Sequence, residues 1–355
     1  MENTLGNPHH SRMADFRRTM IDALHHRPID HVPWSIKFTV EALERYRAHC
    51  GAAFDPIADT GCHVVTAHTN HGWQALGNDQ WRDHYGVVWD KSRDRTLGVV
   101  VDHHLAAGNF SGYTFPDPDA CPVYAGAVAN ARAWPDRFRM VSIGFALFER
   151  AWSLVGMEQL MVLMHEDPAF VHELLDRINA WNLAVIRRSA TLGIDAIHIG
   201  DDWGSQHGPL FGPRQWRTFI APRLKAICDA CHQNNLLLSL HCCGNVEPLM
   251  EDIVAAGVDV FDPFQPEAMD IRKLRQRFRG RLAFWGGLSV QRTLPHGTPA
   301  EVEAETRALI AELGPGGGYI LAPAHSISGD VPPENIDAFL RVANAQILAE
   351  ARPSA

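Results

Sequence analysis

Short β-rich runs ending in glycine or a polar residue alternate with longer stretches of helical character along this 355-residue chain. That alternation dictates a parallel sheet joined by crossover helices. The runs fall at 31–36, 62–67, 140–145, 196–200, 236–240, 258–261, 282–285 and 318–321, and eight strands in this rhythm predict a (β/α)8 TIM barrel. Prolines mark several helix starts: Pro168 before a helix over 169–192, Pro213 before 214–233, Pro299 before 301–313 and Pro333 before 334–350. Pro222 is expected to kink the second of these. Between the second and third strands, about 70–138 reads as a long insertion rich in Trp, His, Asp and Gly, with hairpin character around 85–89 and 99–103. The expected organisation is a polar tail over 1–12 and a single barrel domain over 13–355.

Composition removes several function classes. The chain is 46% hydrophobic and 21% charged with a net charge of −9, and it has no Lys/Arg-rich run, so no nucleic-acid footprint is present. No stretch reaches the roughly 18 apolar residues of a membrane span, and the first twelve residues lack the apolar core of an export signal. A cytoplasmic location without membrane partners is expected. Seven cysteines, odd in number and irregularly spaced, then read as free thiols or metal ligands.

Polar fragments gather where the strands end. The fourth strand leads into Gly200-Asp201-Asp202-Trp203-Gly204-Ser205-Gln206-His207-Gly208, the fifth into His241-Cys242-Cys243-Gly244-Asn245 and the sixth into Asp262-Pro263-Phe264-Gln265. Trp285-Gly286-Gly287 and Ala322-Pro323-Ala324-His325-Ser326 follow the last two. In a barrel these ends share one face, where chemistry sits. Side chains two apart on an extended segment point the same way, so His241 and Cys243 can grip one ion while Cys242 faces away. Imidazole with thiolate favours zinc over a hard cation, and the remaining ligands must come from elsewhere in the chain. Cys228-Asp229-Ala230-Cys231-His232 fits the spacing of a covalent haem attachment; inside an expected helix of a chain without an export signal, it is read as a coincidence.

From Asp195 to Ala338, with Gly200-Asp201-Asp202-Trp203-Gly204-Ser205-Gln206, His241-Cys242-Cys243-Gly244-Asn245, Phe284-Trp285-Gly286-Gly287 and Gly318-Tyr319-Ile320-Leu321-Ala322-Pro323-Ala324-His325, the chain resembles the uroporphyrinogen decarboxylase superfamily. Phe16-Arg17-Arg18 and Arg27-Pro28-Ile29-Asp30-His31-Val32-Pro33 extend the resemblance to the N-terminal segment. His241-x-Cys243 is similar to the zinc-binding pair of the superfamily's coenzyme M and corrinoid methyltransferases, which true decarboxylases lack. Those methyltransferases add a later Cys, and His325 stands at that position here; a His2Cys set of His241, Cys243 and His325 remains a sound zinc site with an open fourth position. The arginine signature by which true decarboxylases hold porphyrinogen carboxylates is absent: Pro33-Trp34-Ser35-Ile36-Lys37-Phe38 has one Lys and no Arg.

The resemblance therefore implies a zinc-dependent methyltransferase, moving a methyl group between a small-molecule substrate and a corrinoid carried on a partner protein, and leaves a homodimer open. It implies site roles as well. Asp202, Glu149 and His325 are the catalytic candidates, and Asp201, Gln206, His207, Asp262 and Gln265 the substrate-binding ones. The alternative is a decarboxylase or other lyase acting on a small carboxylated substrate without corrinoid.

Overall fold

The computed structural model describes residues 15–70 and 72–350; the expected polar tail over 1–12 lies outside them. Eleven strands form among the described residues: β1 (Val64–His68), β2 (Gln74–Gly77), β3 (Gln80–Arg82), β4 (Val88–Asp90), β5 (Val99–Asp102), β6 (Phe138–Ile143), β7 (Ala196–Gly200), β8 (Leu237–His241), β9 (Val260–Phe264), β10 (Ala283–Leu288) and β11 (Tyr319–Pro323). Seven of them, β1 and β6–β11, pair in parallel in chain order.

The eighth stave is the run at 31–36, and here the expectation of a regular strand needs correcting. Pro33 has no N–H, so a continuous ladder cannot form. Instead Ser35 N–H donates to Leu321 and Leu321 N–H donates back to Pro33, at 3.0 and 2.9 Å. On the other side His63 N–H donates to Trp34 at 3.0 Å. These bonds join β11 to the start of β1, so the sheet closes into a barrel.

Period-two alternation sorts the residues of each strand. Ile197, Ile199, Leu238 and Leu240 face outward into the main core beneath the helices, while Val64, Phe138, Met140, Ala196, Val260, Ala283, Trp285 and Ile320 fill the interior. Met20 and Leu24, from the opening helix Phe16–Leu24, join this interior cluster. Arg17 of that helix grips the Asp195 carboxylate at 2.6 Å, just before β7. The N-terminal helix thus plugs the bottom of the barrel and leaves the strand C-termini open.

The outer helices follow their sequence signals. Asp167 caps Pro168–Ser189, and Thr298 with Glu301 forms a capping box on Pro299–Leu313. The expected kink is a full break, into Pro213–Phe219 and Ala221–Gln233, because Pro222 cannot donate to the preceding turn. Cys228 and Cys231 are wholly buried in the second piece, which leaves no access for haem attachment.

The 70–138 region holds two different things. β2–β5 form a separate antiparallel sheet, and Trp89 of that sheet packs on Phe145 with ring centroids 4.9 Å apart. A buried ion pair, Asp83 to Arg150 at 2.6 Å, fixes it to the helix Phe148–Val155. The helix Val123–Ala133, by contrast, packs on β1 and β6 as the crossover between them. No helix among the described residues is long and apolar enough to cross a membrane.

Candidate metal centre and substrate pocket

Sheet register builds the centre. His241 ends β8 directly opposite Asp262 of β9, so the two side chains emerge side by side, with imidazole Nδ1 3.0 Å from carboxylate Oδ2. One step deeper, His198 of β7 stands opposite Ser239 of β8, with its Nδ1 3.0 Å from Ser239 Oγ. His198 Nε2 lies 3.7 Å from the same Asp262 oxygen, and so does Lys37 Nζ. Burial pushes the Asp262 carboxyl up, but Lys37 and His241 outweigh it and hold the group well below the usual carboxylate range. A carboxylate on Nδ1 fixes the imidazole so that Nε2 faces outward as a ligand atom.

That nitrogen meets Cys243. Its Sγ lies 3.3 Å from His241 Nε2, and the Cys243 N–H donates to Asp202 Oδ1 at 2.8 Å. Two glycines make this turn possible. A Cβ on Gly244, whose φ is +81°, would stand 2.6 Å from the Gly204 carbonyl carbon, and one on Gly204 would stand 2.5 Å from the Cys243 oxygen. The loops after β7 and β8 therefore cross backbone to backbone. His325, exposed beyond β11, faces His241 with ring centroids 5.5 Å apart. The donor atoms of His241, Cys243 and His325 all lie within 4.8 Å of one another.

Cys242 points away, wholly buried, and accepts the Trp203 N–H at 3.2 Å. Burial pushes the Cys243 thiol up. Burial alone would lower His241, yet Cys243 and Asp262 together hold its imidazole well above the ordinary range. A cation entering here displaces that proton, so binding releases it.

The adjacent aspartates part company. Asp201 is wholly buried and accepts the N–H groups of Leu147, Phe148 and Glu149 at 2.8 to 3.1 Å, together with the Trp203 indole. It anchors the start of the helix Phe148–Val155 and has no oxygen left for a substrate, so the expected binding role does not suit its position. Burial raises its carboxyl to about 6 against those four donors. Asp202 instead faces the centre. Glu149 sits beside it: burial, then the charges of Asp202 and Asp201, raise its carboxyl well above the usual range. Arg150 next to it is spent on Asp83.

A small cavity of about 40 Å³ opens beside His241, lined by Ser35, Lys37, Asp262, Trp285, Pro323, His325 and Ser326 among others. His325 and Ser326 also line a neighbouring outer cleft with Cys243, Gln206 and Gln265. Thus Gln206 and Gln265 reach the rim; His207 is exposed and lines neither space. Lys37, His198, Ser35 and Trp285 line or support the inner site without having been assigned a role from sequence. Their signal was parity, since each strand position two residues past an inward apolar residue also faces in.

The donor chemistry fits zinc. Two imidazole nitrogens and a cysteine sulfur converge with an open side, and a carboxylate buttresses one imidazole. His198, His241 and Asp262 form a second convergent group, but Lys37 already supplies Asp262 with its countercharge.

The sequence profile described as "Uroporphyrinogen decarboxylase (URO-D)" matches residues 93–346. A methylated-thiol--coenzyme M methyltransferase of Methanosarcina mazei is 26% identical over 347 residues, covering 93% of this chain and 89% of that one. Uroporphyrinogen decarboxylases of Serratia proteamaculans and Edwardsiella ictaluri are 27% and 29% identical over 53% and 50% of this chain. The match covers 52% and 49% of their lengths, about half of each. A solved structure, a methyltransferase from Methanosarcina mazei, superposes with a TM-score of 0.72 at 20% identity, covering 93% of this chain and 98% of that one. It shares the fold.

Proposed function

For this chain, which belongs to the uroporphyrinogen decarboxylase family, we propose a zinc-dependent methyltransferase that moves a methyl group between a small molecule and a corrinoid carried on a separate protein. One observation carries the reading: His241, Cys243 and His325 place two nitrogens and a sulfur within 4.8 Å of one another at the mouth of the barrel. The near full-length likeness to a methyltransferase supports it. So does the lining of the cavity, where Lys37 is the sole Lys or Arg, too few cations for a porphyrinogen with many carboxylates.

Zinc held by His241, Cys243 and His325 would supply Lewis acidity, easing ionisation of a thiol near neutral pH. The chain's own residues do the rest. Asp262 accepts the Nδ1–H of His241 and aims Nε2 at the ion's place. Asp202 fixes the Cys243 backbone. Glu149, buried beside Asp202 and Asp201, has its carboxyl shifted toward the protonated form and so can hold a proton within the site. Trp285 and Pro323 exclude water from the inner wall.

The test pairs metal content with group transfer. Protein purified without chelator is expected to hold about one zinc per chain; Cys243→Ala loses it and Cys242→Ala keeps it. Methylcobalamin offered with simple thiols is expected to be demethylated by the wild type and not by Cys243→Ala. Equal zinc in wild type and Cys243→Ala overturns the metal assignment. Carbon dioxide release from small carboxylic acids by zinc-free protein would establish the lyase alternative.

A further inference from the structure

Exposed apolar side chains concentrate on one part of this molecule. Of the nine large ones open to solvent among the described residues, five lie on the β2–β5 sheet and its turns: Leu76, Trp81, Leu97, Val99 and Val101. Soluble chains rarely leave such a cluster bare. Val99, 63% exposed, and Leu97 line an open groove of about 370 Å³ together with buried Trp89, half-buried Trp152 and exposed Met157. β5 is also an edge: it pairs with β4 on one side and with no strand on the other among the described residues. Val88 pairs with Asp102 and Trp89 with Val100, so Val101 is an extra residue that bends this edge. Such bends disfavour simple addition of another strand, and what the edge offers is its side chains.

The charges around the patch say what covers it. Arg93, in the turn before β5, and Asp102, at the end of β5, have no ion-pair partner among the described residues, whereas Arg95 of the same turn is held by Glu44 at 2.9 Å. Along β5 the order is therefore positive, apolar, negative. A partner that lies antiparallel and carries the same order matches it throughout, and a second copy of this chain is such a partner. Repulsion between copies is small here, because residues 74–102 hold four basic and five acidic side chains, a net of −1 in a chain of −9. Protruding Val99 and the groove beside it are likewise two complementary halves of one patch, which is what a self-complementary two-fold contact requires.

We infer that two copies of this chain associate about a two-fold axis beside β5, each Val99 entering the other's groove against Trp152 and Met157, and each Arg93 facing the other's Asp102. None of the metal-ligand candidates takes part, so the contact holds whatever the reaction.

Sedimentation equilibrium of the full chain over a concentration series reads the mass. Wild type is expected to dimerise with a dissociation constant in the micromolar range, the strength of a small interface. Val99→Lys forces a charge into an apolar groove and is expected to leave monomer at the same concentrations. Arg93→Glu and Asp102→Arg each set like charges face to face twice per dimer, and each is expected to weaken self-association about tenfold. Mixing these two variants decides the arrangement: each supplies the charge the other lacks, so heterodimers are expected at wild-type strength, read by capture of the untagged variant on the tagged one. Circular dichroism confirms that the variants fold. A monomeric wild type overturns the contact and leaves the patch to a different protein, and a dimer that survives Val99→Lys overturns it as well. Charge variants that self-associate as strongly as wild type, or a mixture that recovers nothing, overturn the antiparallel pairing.

Discussion

Replacing Asp262 with asparagine tests whether the carboxylate beneath His241 governs the metal site. The substitution keeps the side-chain shape but removes the charge 3.0 Å from His241 Nδ1 and 3.7 Å from Lys37 Nζ. It also lets an amide N–H₂ face the imidazole, which favours the wrong tautomer. A charge-assisted hydrogen bond contributes about 1.5–3 kcal/mol, which corresponds to about ten- to a hundredfold in affinity. Outer partners of metal-bound histidines span the same range when removed. Zinc affinity, read by competition with a chromogenic chelator, is therefore expected to fall by about one to two orders of magnitude. His198→Gln serves as the comparison: its Nε2 approaches Asp262 only to 3.7 Å, so affinity should change by no more than a few-fold. Wild-type zinc affinity in a folded Asp262→Asn protein would refute the argument that Asp262 sets the orientation of His241.

Two further outcomes are expected. His325→Cys should keep zinc and His325→Ala should bind it more weakly, measured by metal analysis after dialysis; full zinc with full turnover in His325→Ala would remove His325 from the site. Arg150→Met leaves the Asp83 carboxylate buried without its cation and should cost about 3–5 kcal/mol in urea unfolding at pH 7. Burial favours the neutral form of Asp83, and Arg150 is the foremost influence holding its carboxyl below the usual range in the wild type. That depressed group contributes stability above its unfolded pKa, and the contribution fades as pH falls through the folded value. Without Arg150 the carboxyl takes up a proton more readily than in the unfolded chain, so the deficit should shrink below about pH 5; a deficit independent of pH would contradict the pairing.

Much of this architecture was legible because its signals are local. Apolar runs, proline at helix starts and glycine after strand ends locate seven of the eight staves, and His241 with Cys243 announces soft ligands two positions apart. What escaped depends on register or on distant partners. His198 is a lone imidazole inside an apolar strand, and only the parity of β7 against β8 shows that it faces the cavity beside Ser239. Lys37 counts because its flanking segment closes the barrel. Asp201 and Asp202 look interchangeable in sequence, yet neighbours on an extended chain point to opposite sides; one serves a helix start and the other a metal-site turn. Residues 123–133 were hidden inside a region whose composition suggested only an excursion, although they form an ordinary crossover helix.

The bonds between Pro33–Ser35 and Leu321 tie the first stave to the last. In the finished sheet β1 pairs with β6 on one side, while the segment on its other side is itself held by Leu321 of β11, a residue near the far end of the chain. Closure is therefore a late event, governed by contacts between opposite ends of the chain, and such contacts slow folding. Until then the barrel is an open sheet with an exposed edge, the kind of surface on which nascent chains associate wrongly. Weakening the seam, by altering Trp34 or its neighbours, is expected to show first as aggregation during expression, before any loss is visible in the finished protein.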